Sequence, residues 1–181
     1  MNRLATVWLY GADVRPFDRR IPAASGEERI FRYRVDNGAE EHLLWIESQN
    51  GGSKRRNIDA APPSDEVFTF DLARDVGVKL QSPAPWLYIV HTDIPADVVD
   101  DYNAWYDDEH LPRLVGVPGV ERARRYVADT DLSPRYLTAY DLSIKDAFES
   151  SEGLKARKTP WTERMRSLFQ NTRRKKCVLQ Q

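Results

Sequence analysis

The sequence is poor in cysteine. Its 181 residues contain one, Cys177, and a single thiol supports neither a disulfide framework nor a cysteine-based zinc site within one chain. It also lacks any run of about 18 apolar residues that would cross a membrane, and its first ten residues lack the apolar stretch of a signal peptide. We therefore expect a cytoplasmic protein without a membrane partner.

The sequence also lacks an excess of charge. Its 27 Lys and Arg residues against 28 Asp and Glu residues give a net charge of −1, so no overall field attracts nucleic acid. It contains no Gly-x-Gly-x-x-Gly, no Walker loop and no Gly-x-Ser-x-Gly elbow, which argues against nucleotide chemistry and a serine hydrolase. We expect no nucleotide cofactor and no nucleic-acid partner.

Apolar and aromatic residues are plentiful. Hydrophobic residues make up 41% and charged residues 30% of the chain, which is typical of a globular protein. Five Trp, eight Tyr and six Phe are enough to line a ligand pocket as well as a core. A small organic molecule is therefore the expected partner.

A Pro-rich connector at 81–85 divides the chain. Residues 1–82 are predicted to form a strand-rich half, and residues 86–181 a second domain. In the first half, alternating apolar residues predict strands at 4–10, 29–35, 43–47 and 67–72, and a short helix is predicted at 72–76.

The second half has a clearer order of elements. It predicts strands at 86–92, 121–128, 135–144 and 178–181, and helices at 96–111, 145–158 and 160–174, with Pro112 ending or kinking the first helix. This order, β-α-β-β-α-(β), is the ferredoxin-like split βαβ unit of the α+β class. Its open sheet face needs a cover, either the N-terminal half as a degenerate second unit or a second chain. No repeat between the halves is visible, which favours a homodimer.

The segment 102–112 at the end of the first predicted helix carries the most chemistry. Its histidine, His110, is suited to act as a general acid or base near neutral pH. Asp107 and Tyr106 precede it by three and four residues, so both share its helical face. Alternatively, His110 bonds the last carbonyls of the helix.

The string Asn-x-Trp-Tyr-Asp-x-Glu-His-Leu-Pro, followed by Val117-Pro118-Gly119-Val120 and an Arg-Arg-Tyr, resembles the EthD-like group of the dimeric α+β-barrel superfamily over residues 86–150. The resemblance implies that His110 lies near a cleft between the helix and the open sheet face. That superfamily includes cofactor-free monooxygenases, isomerases, cyclases and haem enzymes, so the resemblance indicates the fold more than the reaction. The other residues that match the motif are Trp105, Tyr106, Glu109, Arg125 and Tyr126.

Each candidate also has a structural interpretation. Trp105 suits a core as well as a ligand platform, and Glu109 suits a surface pair with Arg113 or Arg122. His91, on one face of the first strand with Leu87 and Ile89, is either a core histidine or a pocket residue. The predicted catalytic residues are His110, Tyr106, Asp107 and His91, and the predicted substrate-binding residues are Trp105, Tyr102, Glu109, Arg125, Tyr126 and Tyr140.

Two further features bear on the ligand. Tyr136, Thr138 and Tyr140 share one strand face, with Tyr126 on the neighbouring strand, which suits an aromatic ligand with hydroxyl groups. His91, His110 and a carboxylate could ligate a metal, but their spacing carries no metal signature, so none is predicted.

Three functional hypotheses follow. The main hypothesis is a cofactor-independent lyase, isomerase, cyclase or hydratase of catabolism, in which His110 transfers a proton on an aromatic, polycyclic or lactone-like substrate. The second is a cofactor-free or haem-dependent oxygenase or peroxidase on the same fold. The third is a non-catalytic binding or stress-associated module.

Overall fold

The structure is a computed structural model that describes residues 4–10, 28–39, 41–48, 66–128 and 133–180. Eight antiparallel strands form a closed barrel in the order β1-β3-β2-β8-β5-β7-β6-β4. The strands are β1 Leu4–Tyr10, β2 Glu28–Val35, β3 His42–Ser48, β4 Glu66–Gly77, β5 Trp86–Asp93, β6 Val120–Ala128, β7 Tyr136–Leu142 and β8 Gln170–Leu179.

Both halves of the chain contribute a sheet with the same strand order. The first half reads β4-β1-β3-β2 and the second reads β8-β5-β7-β6, which is order 4-1-3-2 in each case. The fold is therefore an α+β barrel of ferredoxin-like type, as predicted. The strand pairs β2–β8 and β4–β6 join the two sheets.

The barrel closes within one chain. The expectation that a second chain covers the open sheet face was therefore wrong, because the N-terminal strands cover it. Their duplication is visible in the strand order and not in the sequence. A homodimer stays a prediction, but barrel closure no longer requires one.

Along the chain, the helices lie in the segments that connect the strands of the second half. They are α1 Val99–Ala104, α2 Leu111–Val115, α3 Ser151–Ala156 and α4 Pro160–Ser167, with a π-helical turn at Trp105–His110 joining α1 to α2 and single 3₁₀ turns at Ala96–Val98 and Ala147–Glu149. No helix of the described part of the chain is long and apolar enough to cross a membrane.

Apolar side chains pack in two layers. Inside the barrel, residues such as Leu43, Trp45, Phe70 and Leu87 fill the interior. Outside it, the helices pack on the other face of the second sheet, and this layer holds the motif residues Trp105, Tyr106 and His110. Successive residues along β5, β6, β7 and β8 therefore face the barrel interior and the helix layer in turn.

One predicted helix is a strand, and another is helical only in its first half. The predicted helix 72–76 belongs to β4, and the predicted helix 160–174 ends at Ser167, after which β8 begins at Gln170. In both cases the backbone pairs with strands on two sides, β8 with β2 and β5, and β4 with β1 and β6. These tertiary hydrogen bonds outweigh the helix propensity of the Arg- and Lys-rich sequence.

Candidate functional site

The predicted chemical segment forms the π-helical turn. The Leu111 N–H donates to the carbonyl of Tyr106, five residues back, and Pro112, which has no N–H, sits in the first turn of α2. The helix therefore continues to Val115 with a widened turn instead of ending at Pro112. Such turns are frequent at functional sites, and this one buries the side chains of Trp105, Tyr106 and His110.

His110 is enclosed by aromatic rings. Its ring stacks on Trp105 with centroids 4.1 Å apart and meets the edge of Tyr106 at 5.3 Å. Only 5% of the residue is exposed, and its buried Nδ1 has no hydrogen-bond partner. Burial, reinforced by positive charge from Arg166, lowers the pKa of His110 to about 3, so the imidazole is neutral at physiological pH.

Glu109 anchors the next helix. Thr159 and Thr162 donate their hydroxyls to its carboxylate at 2.6 and 3.4 Å, and Trp105 donates its indole N–H to Thr162 at 3.2 Å. These bonds join the π-helical turn to the N-terminus of α4, where a carboxylate is favoured. Glu109, predicted as a substrate-binding residue, thus positions α4 instead of lining the pocket.

A pocket opens beside His110, between the helices and the outer face of the second sheet. It lies on the helix-covered face of the sheet, opposite to the open face where the sequence places the cleft. Its empty space of about 390 Å³ includes the open solvent at its mouth, so it is a surface cleft and not an enclosed cavity. Its buried wall is mainly aromatic, whereas two exposed arginines and half-buried residues surround its mouth. The lining residues are Tyr88, Val90, Trp105, Tyr106, His110, Leu114, Tyr140, Phe148, Arg157, Arg166, Phe169 and Arg174.

Three arginines and no carboxylate line this pocket among the described residues. Arg157 is held in place by donating to the carbonyls of Gly153 and Phe148. Burial lowers the pKa of Arg166, and repulsion from Arg157 and Arg174 adds to the effect. Like charges brought together in this way favour a bound anion.

Arg125 contacts three tyrosine rings, of which only Tyr106 also lines the pocket. Its guanidinium lies 4.8 Å from the ring centroids of both Tyr102 and Tyr106 and 5.7 Å from that of Tyr136, and it donates to Asn103. It is 3% exposed. Arg125 and Tyr102, both predicted to bind substrate, therefore hold α1 on the sheet through cation–π contacts and do not line the pocket.

Three other predicted site residues lie away from the pocket. His91 points into the barrel, where it contacts Phe68 and Phe70 and lies 2.6 Å from the carbonyl of Pro134. Tyr126 is paired with Leu137, so it also faces the barrel interior. The sequence pattern had grouped it with Tyr140, which lies on the opposite face of the sheet. Asp107 is half-buried, and its carboxylate lies 3.9 Å from Arg74.

Sequence reasoning missed the arginines and Phe148. Arg157, Arg166 and Arg174 lie on α3's end, α4 and β8, and no motif links them. Arg174 was predicted at the end of the helix 160–174, whereas it lies on β8, paired with Val90 of β5. The described residues contain no cluster of His, Cys, Asp and Glu that could hold a metal ion.

Comparison with known proteins shows the fold. No family profile and no curated protein matches the sequence, but solved structures do. A monooxygenase-like protein from Lactobacillus acidophilus is 11% identical and covers 99% of this chain and 94% of its own, with a TM-score of 0.68. An anthrone oxidase-like protein is 12% identical (99% and 92%, TM-score 0.68), and a haem-degrading enzyme from Listeria monocytogenes is 8% identical (96% and 98%, TM-score 0.62).

These structures correct the main functional hypothesis. The neighbours are named for oxygenase and haem chemistry, so a cofactor-independent lyase, isomerase, cyclase or hydratase was the wrong first choice. The second hypothesis, an oxygenase or peroxidase, agrees better with them.

Proposed function

We propose that the protein is a cofactor-independent oxygenase that oxidises a hydroxylated aromatic substrate bound as its anion. The observation that carries the proposal is the pocket itself, in which a neutral, buried His110 lies among aromatic walls and three arginines with no lining carboxylate. The named chemistry of the structural neighbours supports the choice of oxygen as the oxidant.

The reaction needs no external reductant. A deprotonated phenol, or the enolate of an activated methylene group, is electron-rich enough to reduce O₂ directly. For a methylene group the balance is R₂CH₂ + O₂ → R₂C=O + H₂O, in which the carbon loses four electrons, one oxygen atom enters the new carbonyl and the other leaves as water.

The arginines and His110 have complementary roles in this reaction. His110 is kept neutral mainly by burial and further by the positive charge of the arginines. The same positive charge stabilises a bound anion, which lowers the pKa of the substrate in the pocket. Neutral His110 can take the substrate proton, because the anion formed beside it offsets the repulsion from the arginines. Tyr88 and Tyr140, whose pKa values are raised by burial, stay neutral and can donate hydrogen bonds to substrate oxygens.

A haem group does not fit this pocket. His110 is the only imidazole among the described lining residues, its Nδ1 is enclosed, and its ring lies flat on Trp105. The empty space of about 390 Å³ includes the mouth, and a tetrapyrrole would have to displace the stacked rings. We therefore derive no step through haem.

Oxygen uptake tests the proposal. An oxygen electrode would follow purified protein with anthrones, naphthalenediols and related hydroxylated aromatics, and ¹⁸O₂ would show whether one labelled atom enters the product. We expect one O₂ consumed per molecule of product, an oxidised methylene carbonyl or a quinone, with one water released. The reaction should need no added metal, flavin or haem, and His110→Gln should lose about 100-fold or more of the activity.

Two controls complete the experiment. Arg164→Gln removes a positive charge from α4 that pairs with Asp101 outside the pocket, and it should keep full activity. Circular dichroism would establish that His110→Gln is folded. Unchanged turnover in folded His110→Gln, or uptake that depends on an added cofactor, would contradict the proposal.

We also propose, from the motif at 102–112 alone, that the chain is related to the EthD-like group. The motif residues Trp105, Tyr106 and His110 lie at the pocket, which supports this placement. Replacing the whole segment 102–112 by the corresponding segment of a characterised EthD-like protein should preserve the fold and the pocket; loss of folding would oppose it.

A further inference from the structure

The pocket carries more positive charge than one phenolate can balance. Arg157, Arg166 and Arg174 line it, and no carboxylate does among the described residues. The acidic neighbours of Phe148 in sequence, Asp146 and Glu149, pair with Lys176 instead. A substrate with a single negative charge would therefore leave two arginine charges without a partner.

The arginines are not equally deep in the pocket. Arg157 is half-buried and bonded to the backbone carbonyls of Gly153 and Phe148. Arg166 and Arg174 are exposed, and neither forms an ion pair or hydrogen bond with any side chain of the described residues. His110 lies at the buried wall. The pocket therefore has an inner end for the reacting group and a mouth with two available guanidinium groups.

The mouth is suited to an oxyanion. A guanidinium offers several N–H donors in a planar fork that matches a carboxylate. The two groups come from different elements, α4 and β8, and both act electrostatically on the Tyr88 hydroxyl. They therefore face a common space at the mouth, where bringing them together costs electrostatic energy unless an anion lies between them.

We propose that the substrate carries a second, oxyanionic substituent, a carboxylate in the simplest case, at the end of the aromatic system opposite to its reacting hydroxyl, and that Arg166 and Arg174 bind it. This inference rests on the proposed function for the reacting end, and it adds the class of substrate. The enzyme acts on hydroxylated aromatic acids in preference to neutral phenols.

Binding of three matched naphthalenes tests this inference. 6-Hydroxy-2-naphthoate carries both groups at opposite ends, 2-naphthol lacks the carboxylate, and 2-naphthoate lacks the hydroxyl. Affinities would be measured by quenching of tryptophan fluorescence, since Trp105 lines the pocket, and by calorimetry. We expect 6-hydroxy-2-naphthoate to bind at least tenfold more tightly than 2-naphthol, with an advantage that shrinks as salt is added.

The variants locate the effect. In Arg166→Met/Arg174→Met the affinity ratio of 6-hydroxy-2-naphthoate to 2-naphthol should fall below about threefold, because the two charges that bind the carboxylate are gone. Arg164→Met, on the same helix but paired with Asp101, should keep the full advantage. Both arginines of the double variant are exposed, so it should remain folded, and Arg166→Lys/Arg174→Lys should recover part of the preference because it restores the charge.

Several outcomes would overturn the inference. Equal affinity for 6-hydroxy-2-naphthoate and 2-naphthol in the native protein would do so, as would a carboxylate preference that survives in Arg166→Met/Arg174→Met. Failure of all three compounds to bind at up to about 1 mM would do the same. A sulfonate in place of the carboxylate distinguishes a planar from a tetrahedral oxyanion, and binding of either supports the second anionic site.

Oxygen uptake measured on the same samples separates this inference from the proposed function. A carboxylate preference in binding without oxygen consumption by any hydroxylated aromatic would contradict the oxygenase proposal and leave the anion site supported. Oxygen consumption that is equally fast with 2-naphthol and 6-hydroxy-2-naphthoate would contradict only the anion site.

Discussion

The low pKa of His110 makes the stability of the protein depend on pH. Burial, with Arg166 and Arg157 as the next causes, lowers this pKa from 6.5 to about 3. The unfolded chain therefore binds a proton at this site below about pH 6.5, whereas the folded protein does not until about pH 3. Stability from this site is complete above pH 6.5 and is lost as the pH falls through this interval.

The size of the effect follows from the two pKa values. Each pH unit over which only the unfolded state binds the proton costs about 1.4 kcal/mol. Because the unfolded histidine titrates near pH 6.5, about one and a half of the two pH units between pH 7 and pH 5 contribute. This single histidine should therefore cost about 2 kcal/mol of unfolding free energy over that interval. His110 is buried, so solvent screening reduces this figure little.

Urea denaturation at pH 7 and pH 5 measures the effect. The native protein should lose about 2 kcal/mol more than His110→Gln does between these two pH values. Arg166→Met should reduce this pH dependence, because removing the nearby positive charge raises the pKa of His110.

NMR titration of the histidine ring protons gives an independent readout. A His110 resonance that titrates near pH 6.5 in the folded protein would refute the reasoning, as would identical pH dependence in the native protein and His110→Gln. Either result would mean that His110 is solvated and that the positive charge of the arginines does not act on the pocket.

Three other predictions concern the barrel and the pocket. Asp141→Asn should destabilise the protein by about 3 kcal/mol in urea denaturation, because it removes the bidentate partner, at 2.8 Å, of the buried Arg124, whereas a matched change at the exposed Asp36 should leave stability unchanged within error. Gly77→Ala should cost more than about 1 kcal/mol in the same assay, because Gly77 has a φ of 101° and a Cβ there would lie 2.4 Å from the Glu121 carbonyl. Titration with haemin should produce no Soret band of a histidine-bound haem, and a saturable band lost in His110→Gln would contradict the absence of a haem site.

Local sequence determined much of the second half. The order of strands and helices from β5 to β7 follows from hydrophobic spacing, and the aromatic residues around His110 lie within one turn or two of helix, where spacing alone brings them together. For this reason the sequence led correctly to Trp105, Tyr106 and His110 as neighbours at one surface. Alternation along β7 grouped Tyr140 with Tyr136 and Thr138 on one face, and the structure shows that this face is the helix-covered one.

Alternation along a strand does not say which face is which. Leu87, Ile89 and His91 were grouped correctly, but only the closed barrel shows that this group faces the interior. Tyr126 was misplaced for a related reason, since its face depends on its register with β7 and on the irregularity between Val120 and Arg122. A shift of one residue moves every side chain to the opposite face.

By itself, the sequence determined the ferredoxin-like order of the second half and the aromatic setting of its motif histidine, because both depend on residues a few positions apart. Only the tertiary structure decided that one chain closes the barrel, since strand pairing joins segments far apart in sequence. It alone also brought Arg157, Arg166 and Arg174 to one pocket. Their convergence comes from the packing of α3, α4 and β8 on a shared layer, and this charge is what distinguishes an anion-binding site from an ordinary aromatic core.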